Sequence, residues 1–357
     1  MGDPPSRTER LDAFQQRHSS VGFTVAVFYK AFDDRAPYLA ALVTYYAFVS
    51  IFPLLLLFLS IMGYVLQSHP SLRQSIESSA ISNVPGIGSL LRQNIHTFKG
   101  SGVGIALGLI GLLYGALGAM QASQYAFNTM YAVPRNQQPN PLRSRVRSLG
   151  VLAILGTAIV VFTGVNLAIS NAHSVSSALG LGFIVLGYLV DLLIYIVLFC
   201  VAFRVLTVLE LGWGQVLAGG IITGALWELL QTFGSRIVVH EVRHGSALYG
   251  VFGVVLATLA WIYLVSLAVM MSAEINVVWN RHLWPRSLKA PFTDDMVPTA
   301  ADLAAYASYA RSPRFKGWQH IEVAFDPPDL PAPFAHSDRA PNGPEVGEGG
   351  EDVTPPV

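Results

Sequence analysis

His240, Glu241, Val242, Arg243 and His244 spell His-Glu-x-x-His, a spacing that on a helix brings two imidazoles to one metal with a glutamate as base. As a protease site this match is rejected, because it falls in a short loop between two apolar segments and brings no third ligand. A second set of reactive groups lies inside the apolar segments themselves. Asp191 sits in YLVDLLIYIV and Glu228 in GALWELLQTF, with Gln231 nearly one turn on. Asn166, Tyr45, Tyr46 and Ser50 add neutral hydrogen-bonding groups, and Glu274 and Asn276 come near the end of the last apolar stretch. A charge at mid-bilayer costs roughly 2.5–3.5 kcal/mol on insertion scales, so each acid needs a reason. Either Asp191 and Glu228 line a polar cavity, where they exchange protons or bind a cationic or hydroxylated group, or each is hydrogen-bonded structural glue. Glu274 is read as capping, or pairing with Arg281 or another basic residue.

Those groups are positioned by helices that belong in lipid. Residues 39–66 contain no Asp, Glu, Lys, Arg or His, and about 20 apolar residues at ~1.5 Å each cross a hydrocarbon core of ~30 Å. Pro53 lies inside that run; its kink is tolerable in a membrane because a neighbouring helix or a hydroxyl such as that of Ser50 can satisfy the freed carbonyl. Five further segments follow, near Val103–Gln121, Leu149–Ser170, Ala178–Phe203, Val216–Phe233 and Tyr249–Val277. The composition agrees, with 52% hydrophobic and 12% charged residues and a mean hydropathy of +0.48. The fold class is therefore all-α, a polytopic bundle of six transmembrane helices. On the six-span reading, 17 of the 22 lysines and arginines fall on the side of both termini, which the positive-inside rule assigns to the cytoplasm.

Zero net charge offers no basic field for nucleic acid. Cys200 is the sole cysteine, so neither a disulfide nor a cysteine metal site is expected, and no cofactor is implied. Residues 1–20 form a polar arm without the apolar core of a signal peptide, so the first span is expected to target the chain. Residues 21–285 form the six-span domain. At its start, Phe14, Phe23, Val27, Phe28, Ala31 and Phe32 recur loosely at helical spacing beside charges, reading as an interfacial amphipathic helix or as a cytoplasmic helix packed on the bundle. The outer loop 67–102 is expected to fold back as a short helix. Residues 286–357, rich in Pro, Ala and Gly and then in acids, read as a largely disordered cytoplasmic tail.

In the second span Gly104, Gly108, Gly111, Gly115 and Gly118 recur every 3 or 4 residues, a stripe that lets another helix approach closely or lines a substrate path. Gly115-Ala116-Leu117 with Gln121, and Gly224-Ala225-Leu226 with Gln231, hint at a 3+3 inverted repeat.

Three stretches together resemble one family: ALVTYYAFVSIFPLLLL (41–57); ALGAMQASQYAFNTMYAVPR (116–135) with LRSRVRSLG (142–150); and GALWELL (224–230) with LYGVFGVVLATLAWIYLVSLAVMMSAEINVVW (248–279). The chain is similar to the YihY/BrkB family of bacterial inner-membrane proteins, long mislabelled as ribonuclease BN. The resemblance covers about residues 20–285. It departs from the family at Ser272-Ala273-Glu274, where Gly-Ala-Glu is usual; serine is small enough for close packing to survive. The resemblance implies a multi-pass protein of the bacterial cytoplasmic membrane linked to envelope integrity, with membrane lipids as partners. The first functional expectation is a carrier or flippase-like exporter of an amphipathic, lipid-like envelope molecule, with a homo-oligomer compatible. The alternative is a structural scaffold of the envelope. A ribonuclease is rejected, because RNA demands a basic groove and hydrolysis a metal cluster.

Overall fold

The long apolar runs form long helices, as a backbone in lipid must satisfy its hydrogen bonds internally. In a computed structural model the described residues are 7–68, 102–175, 180–244, 250–293 and 296–325. Among them are nine α-helices, one short 3-10 helix and no strand. Two short helices open the chain, α1 (Arg7–Arg17) and α2 (Ser19–Asp33). Six long ones follow: α3 (Ala36–Ser68), α4 (Gly102–Met130), α5 (Pro141–Val175), α6 (Gly180–Leu206), α7 (Trp213–His244) and α8 (Gly250–Arg281). The last is α9 (Ala300–Arg311). Among the described residues, four helices are long and apolar enough to cross a membrane: parts of α3, α6 and α8, and all of α4, with mean hydropathies of 2.0–2.5. Only 17% of each apolar window is buried within the protein, so their remaining surface suits lipid.

The tightest packing is between α3 and α4, and glycine explains it. A Cβ on Gly108 would lie 2.9 Å from the Leu57 backbone nitrogen, and one on Gly111 would lie 2.9 Å from the Pro53 ring. On Gly115 it would strike Ser50 and lie 3.0 Å from that residue's Cα, and on Gly118 it would strike the Tyr46 ring. Residues 46, 50, 53 and 57 thus oppose 118, 115, 111 and 108, an antiparallel register set by spacings of 3 and 4 on both helices. The stripe is a packing surface from Gly108 to Gly118. Ser50 donates its hydroxyl to the Tyr46 carbonyl at 2.7 Å, so it does not serve the carbonyl four residues before Pro53.

Two expectations are corrected. Part of the tail is folded: residues 300–311 form α9, started by a capping box, Thr299 with Asp302, and docked by buried charges described below. Residues 240–244 are the last turn of α7 and not a loop, because no Gly or Pro interrupts the chain between Gly234 and Gly245. The expected helix over the outer mouth lies outside the described residues. So do the side chains of Asn166, Gln231, His240 and His244.

Gly115→Val is expected to lower the melting temperature sharply in detergent, corresponding to at least about 1–3 kcal/mol of overpacking. Gly156→Ala, where a Cβ meets nothing within 4 Å, is expected to be neutral; equal losses at both positions would disprove the register.

Candidate functional site

At the end of the bundle that carries α1, α2 and α9, helix termini leave carbonyls without partners, and two cations are placed to meet them. Lys30 of α2 donates to the Met130 carbonyl at 2.9 Å, and Arg281 of α8 donates to the Tyr131 carbonyl at 2.6 Å. Met130 is the last residue of α4 and Tyr131 the one after it. Lys30 is 1% exposed, and an ammonium taken from water needs paired charge. It finds two acids: Asp34, one helical turn on and hydrogen-bonded to it, and Glu274 of α8 at 3.4 Å. Glu274 is fully buried, and its carboxyl faces Asp34 as well as Lys30. Two carboxylates and one ammonium leave an excess negative charge if all are ionised. Burial outweighs the Lys30 ammonium at Asp34 and holds that carboxyl above the usual aspartate range.

A second buried cation ties in the C-terminal helix. Arg286 donates to Asp302 of α9 at 2.8 Å and to Asp33 of α2 at 2.7 Å, while Asp302 also accepts the Ser287 N–H at 3.0 Å. Burial works against the Arg286 charge, but the two carboxylates hold its pKa above the ordinary arginine value. Gln15 of α1 donates to the Arg286 carbonyl at 2.5 Å, and Tyr29 donates to that of Leu288 at 2.9 Å.

Beside this network is a pocket of about 340 Å³. It opens where the glycine stripe of α4 ends and its successors at the same spacing, Gln121, Tyr125 and Asn128, are too large for close packing. Tyr46 and Leu42 of α3 form the opposite wall. Gln138 and Pro139, with Ser144 from the first turn of α5, form the third. Asn128 is committed structurally: its side-chain oxygen accepts the Val208 N–H at 3.0 Å. Gln124 reaches Ser148 at 3.4 Å.

The chain matches the virulence factor BrkB family over residues 27–295. It belongs to that family. Among its relatives, a UPF0761 membrane protein of Ralstonia nicotianae is 26% identical over 279 residues, covering 72% of this chain and 60% of the relative, so the chain spans less than two thirds of that protein's length. A UPF0761 membrane protein of Aeromonas salmonicida is 23% identical, covering 76% of this chain and 93% of the relative. One of Azotobacter vinelandii is 26% identical, covering 75% and 67%. No solved structure matches the chain. The BrkB match takes in Lys30, Asp34, Glu274 and the whole pocket, whereas α9 lies beyond it.

Within this BrkB-family bundle the sequence-derived candidates separate. Tyr46 lines the pocket, but the adjacent Tyr45 is 62% exposed. Asp191 and Glu228 lie on α6 and α7, both within electrostatic reach of Tyr195, and neither lines the described pocket. One oxygen of Asp191 is buried without a hydrogen-bond partner. Glu274 pairs with Lys30 and not with Arg281. Asn276 accepts the Gly219 N–H of α7 at 2.6 Å, close enough that a Cβ on Gly219 would overlap it. Ser272, at the position of the family's usual glycine, is fully buried and donates to Ala268 at 2.8 Å; Gly219 supplies the space beside it. The sequence reading passed over Lys30, although Phe23, Val27, Lys30 and Asp34 share a helical stripe that marks it as inward-facing.

Lys30→Met is expected to destabilise the protein by about 3–5 kcal/mol, because it strands two buried carboxylates. Asp34→Asn is expected to be far milder. A raised carboxyl pKa stabilises fully below the ordinary aspartate value of 3.8 and loses that contribution as pH rises through the folded value. Melting temperature should therefore fall with rising pH, and Asp34→Asn should flatten that slope. A steeper slope in the amide variant would refute the assignment.

Proposed function

We propose that this BrkB-family membrane protein is a carrier, flippase-like, for an amphipathic envelope molecule, and that the pocket beside Tyr46, Gln121 and Tyr125 receives its polar part. The observation that carries this reading is a polar pocket walled by α3 and α4, two helices whose outer faces are apolar and exposed. A molecule with one polar and one hydrocarbon end matches that pair of surfaces. In this reading α3–α8 are six spans with α1, α2 and α9 on one side, and the 17 to 5 partition of basic residues supports a cytoplasmic assignment of that side. Phe14, Phe28 and Phe32, all more than half exposed on α1 and α2, suit the inner membrane surface. Asp191 and Glu228 are then candidates for energy coupling at the α6–α7 interface and not for substrate contact. No nuclease or other enzyme activity belongs to this proposal.

The topology is tested with single cysteines in a Cys200→Ser background: His244→Cys should label with an impermeant maleimide from outside the cell and Ser308→Cys should not. Reversal would refute the orientation. Function is tested in reconstituted vesicles by following movement of fluorescent lipid analogues between leaflets. The wild-type chain should accelerate it, and Gln121→Leu and Glu228→Gln should each slow it about tenfold or more without a change in melting temperature. No acceleration with any headgroup would favour a scaffold.

A further inference from the structure

The charge of the pocket wall narrows the ligand. None of its lining residues is Asp, Glu, Lys, Arg or His. An anion entering there would leave water without a cation to meet it, and a cation would find no carboxylate, so either would be bound against its hydration. Phosphate-binding sites place arginine or lysine forks directly on the oxygens. The nearest basic residues in sequence, Arg143 and Arg145, flank Ser144 on α5, project about 100° to either side of it and are exposed.

The wall is nevertheless rich in neutral hydrogen-bonding groups, and several of them are unspent. The Gln121 amide and the hydroxyls of Tyr46, Tyr125 and Ser144 have no hydrogen-bond partner among the described residues, whereas Asn128 and Gln124 are tied to protein groups. An amide both donates and accepts, and so does a hydroxyl. Four such groups around one cavity fit a ligand that carries several hydroxyls and no charge. Two tyrosine rings supply flat apolar area for the C–H faces of a sugar-like ring. About 340 Å³ lies at the small end of ligand cavities, room for a group of one or two rings and not for a long oligosaccharide.

We propose that the pocket binds an uncharged polyhydroxyl group of mono- or disaccharide size, with Gln121 and Tyr46 as the residues that select it. This deepens the carrier reading by naming the substrate's polar part, and the assay is one of equilibrium binding, so that its failure can be told from a failure of transport.

The full chain is placed in phosphatidylcholine nanodiscs containing glucosyl diacylglycerol or phosphatidylglycerol, and in a third arm in plain nanodiscs with free maltose. Melting temperature and native mass spectrometry read binding. Glucosyl diacylglycerol should raise the melting temperature and be retained, and phosphatidylglycerol should do neither. Gln121→Leu should weaken retention about tenfold or more while leaving the melting temperature of the plain nanodisc sample unchanged, and Tyr46→Phe should weaken it less. If Gln121→Leu does not fold, Tyr46→Phe and Ser144→Ala carry the test. Retention of glycolipid without a response to maltose identifies a lipid source, and a response to both identifies the sugar alone as sufficient; each supports the proposal. Preference for phosphatidylglycerol, or glycolipid retention unchanged in every pocket variant, overturns it. Binding as expected with no movement between leaflets would leave the site standing and remove the carrier role.

Discussion

A buried ammonium with partners on several separate helices organises this bundle. Lys30 is held on α2, takes the last carbonyl of α4, and faces an acid of α8 and, at 5.4 Å, the Tyr309 ring of α9. Each of these contacts alone is modest. Together they fix the end of α4 relative to the last long helix, because a charge excluded from water cannot give up one partner without stranding another. The arrangement contributes specificity of geometry more than net stability, since one cation shared by two carboxylates is an imperfect match. Arg281 repeats the device on the adjacent Tyr131 carbonyl, so the last carbonyl of α4 and the one that follows it are both met by side chains of other helices.

Much of this was legible in the sequence and some was not, for physical reasons. The long helices followed from uninterrupted apolar runs, and the glycine stripe followed from spacing, since 3 and 4 alternate on any helix face. Which helix packs on that stripe was not readable, because Gly115 carries no mark of its partner Ser50. The sequence left the partner of Glu274 open between Arg281 and another basic residue, and it is Lys30. Residues seven apart on one helix are two turns apart, too far for a direct ion pair, and that alone could have turned attention to Lys30. The tail misled through composition. Pro, Ala and Gly suggested disorder, although Thr299 and Asp302 three apart before AAYASYAR is a readable helix start. Nothing local, however, announces that Asp302 will accept an arginine from the segment that follows the last long helix.

The segments on either side of the long helices, α1 and α2 before them and residues 282–311 after them, therefore form one structural layer. Asp33 meets Arg286, Asp12 accepts the Leu288 N–H at 2.8 Å, and Phe23 lies edge-on to Trp279 and Trp284 at 5.8 and 5.3 Å. The family match begins at residue 27 and ends at 295, so part of this layer, including α1 and α9, extends beyond it. Chain segments outside the family region thus hold buried charges that lie inside it, as Asp302 does for Arg286.

That layer also bears on the pocket. Two of its walls are rigidly set: α3 and α4 are locked in register by the glycines, and the end of α4 is pinned by Lys30 and Arg281. The third wall, the connection from α4 to α5, is held differently. Its backbone is paired with the segment after α9, Arg135 N–H to Ser312 at 3.1 Å and Asn136 N–H to Arg314 at 2.9 Å, with the Arg135 guanidinium 4.9 Å from the Phe315 ring. Within the wall itself the ties are single hydrogen bonds, Gln138 to Val133 at 3.2 Å and Gln124 to Ser148 at 3.4 Å. Separate hydrogen bonds of this kind yield at lower cost than a close-packed helix pair or a buried ion cluster. The α4–α5 connection is thus the wall held by hydrogen bonds instead of close helix packing, and the segment after α9 supplies two of the carbonyls that its backbone N–H groups meet.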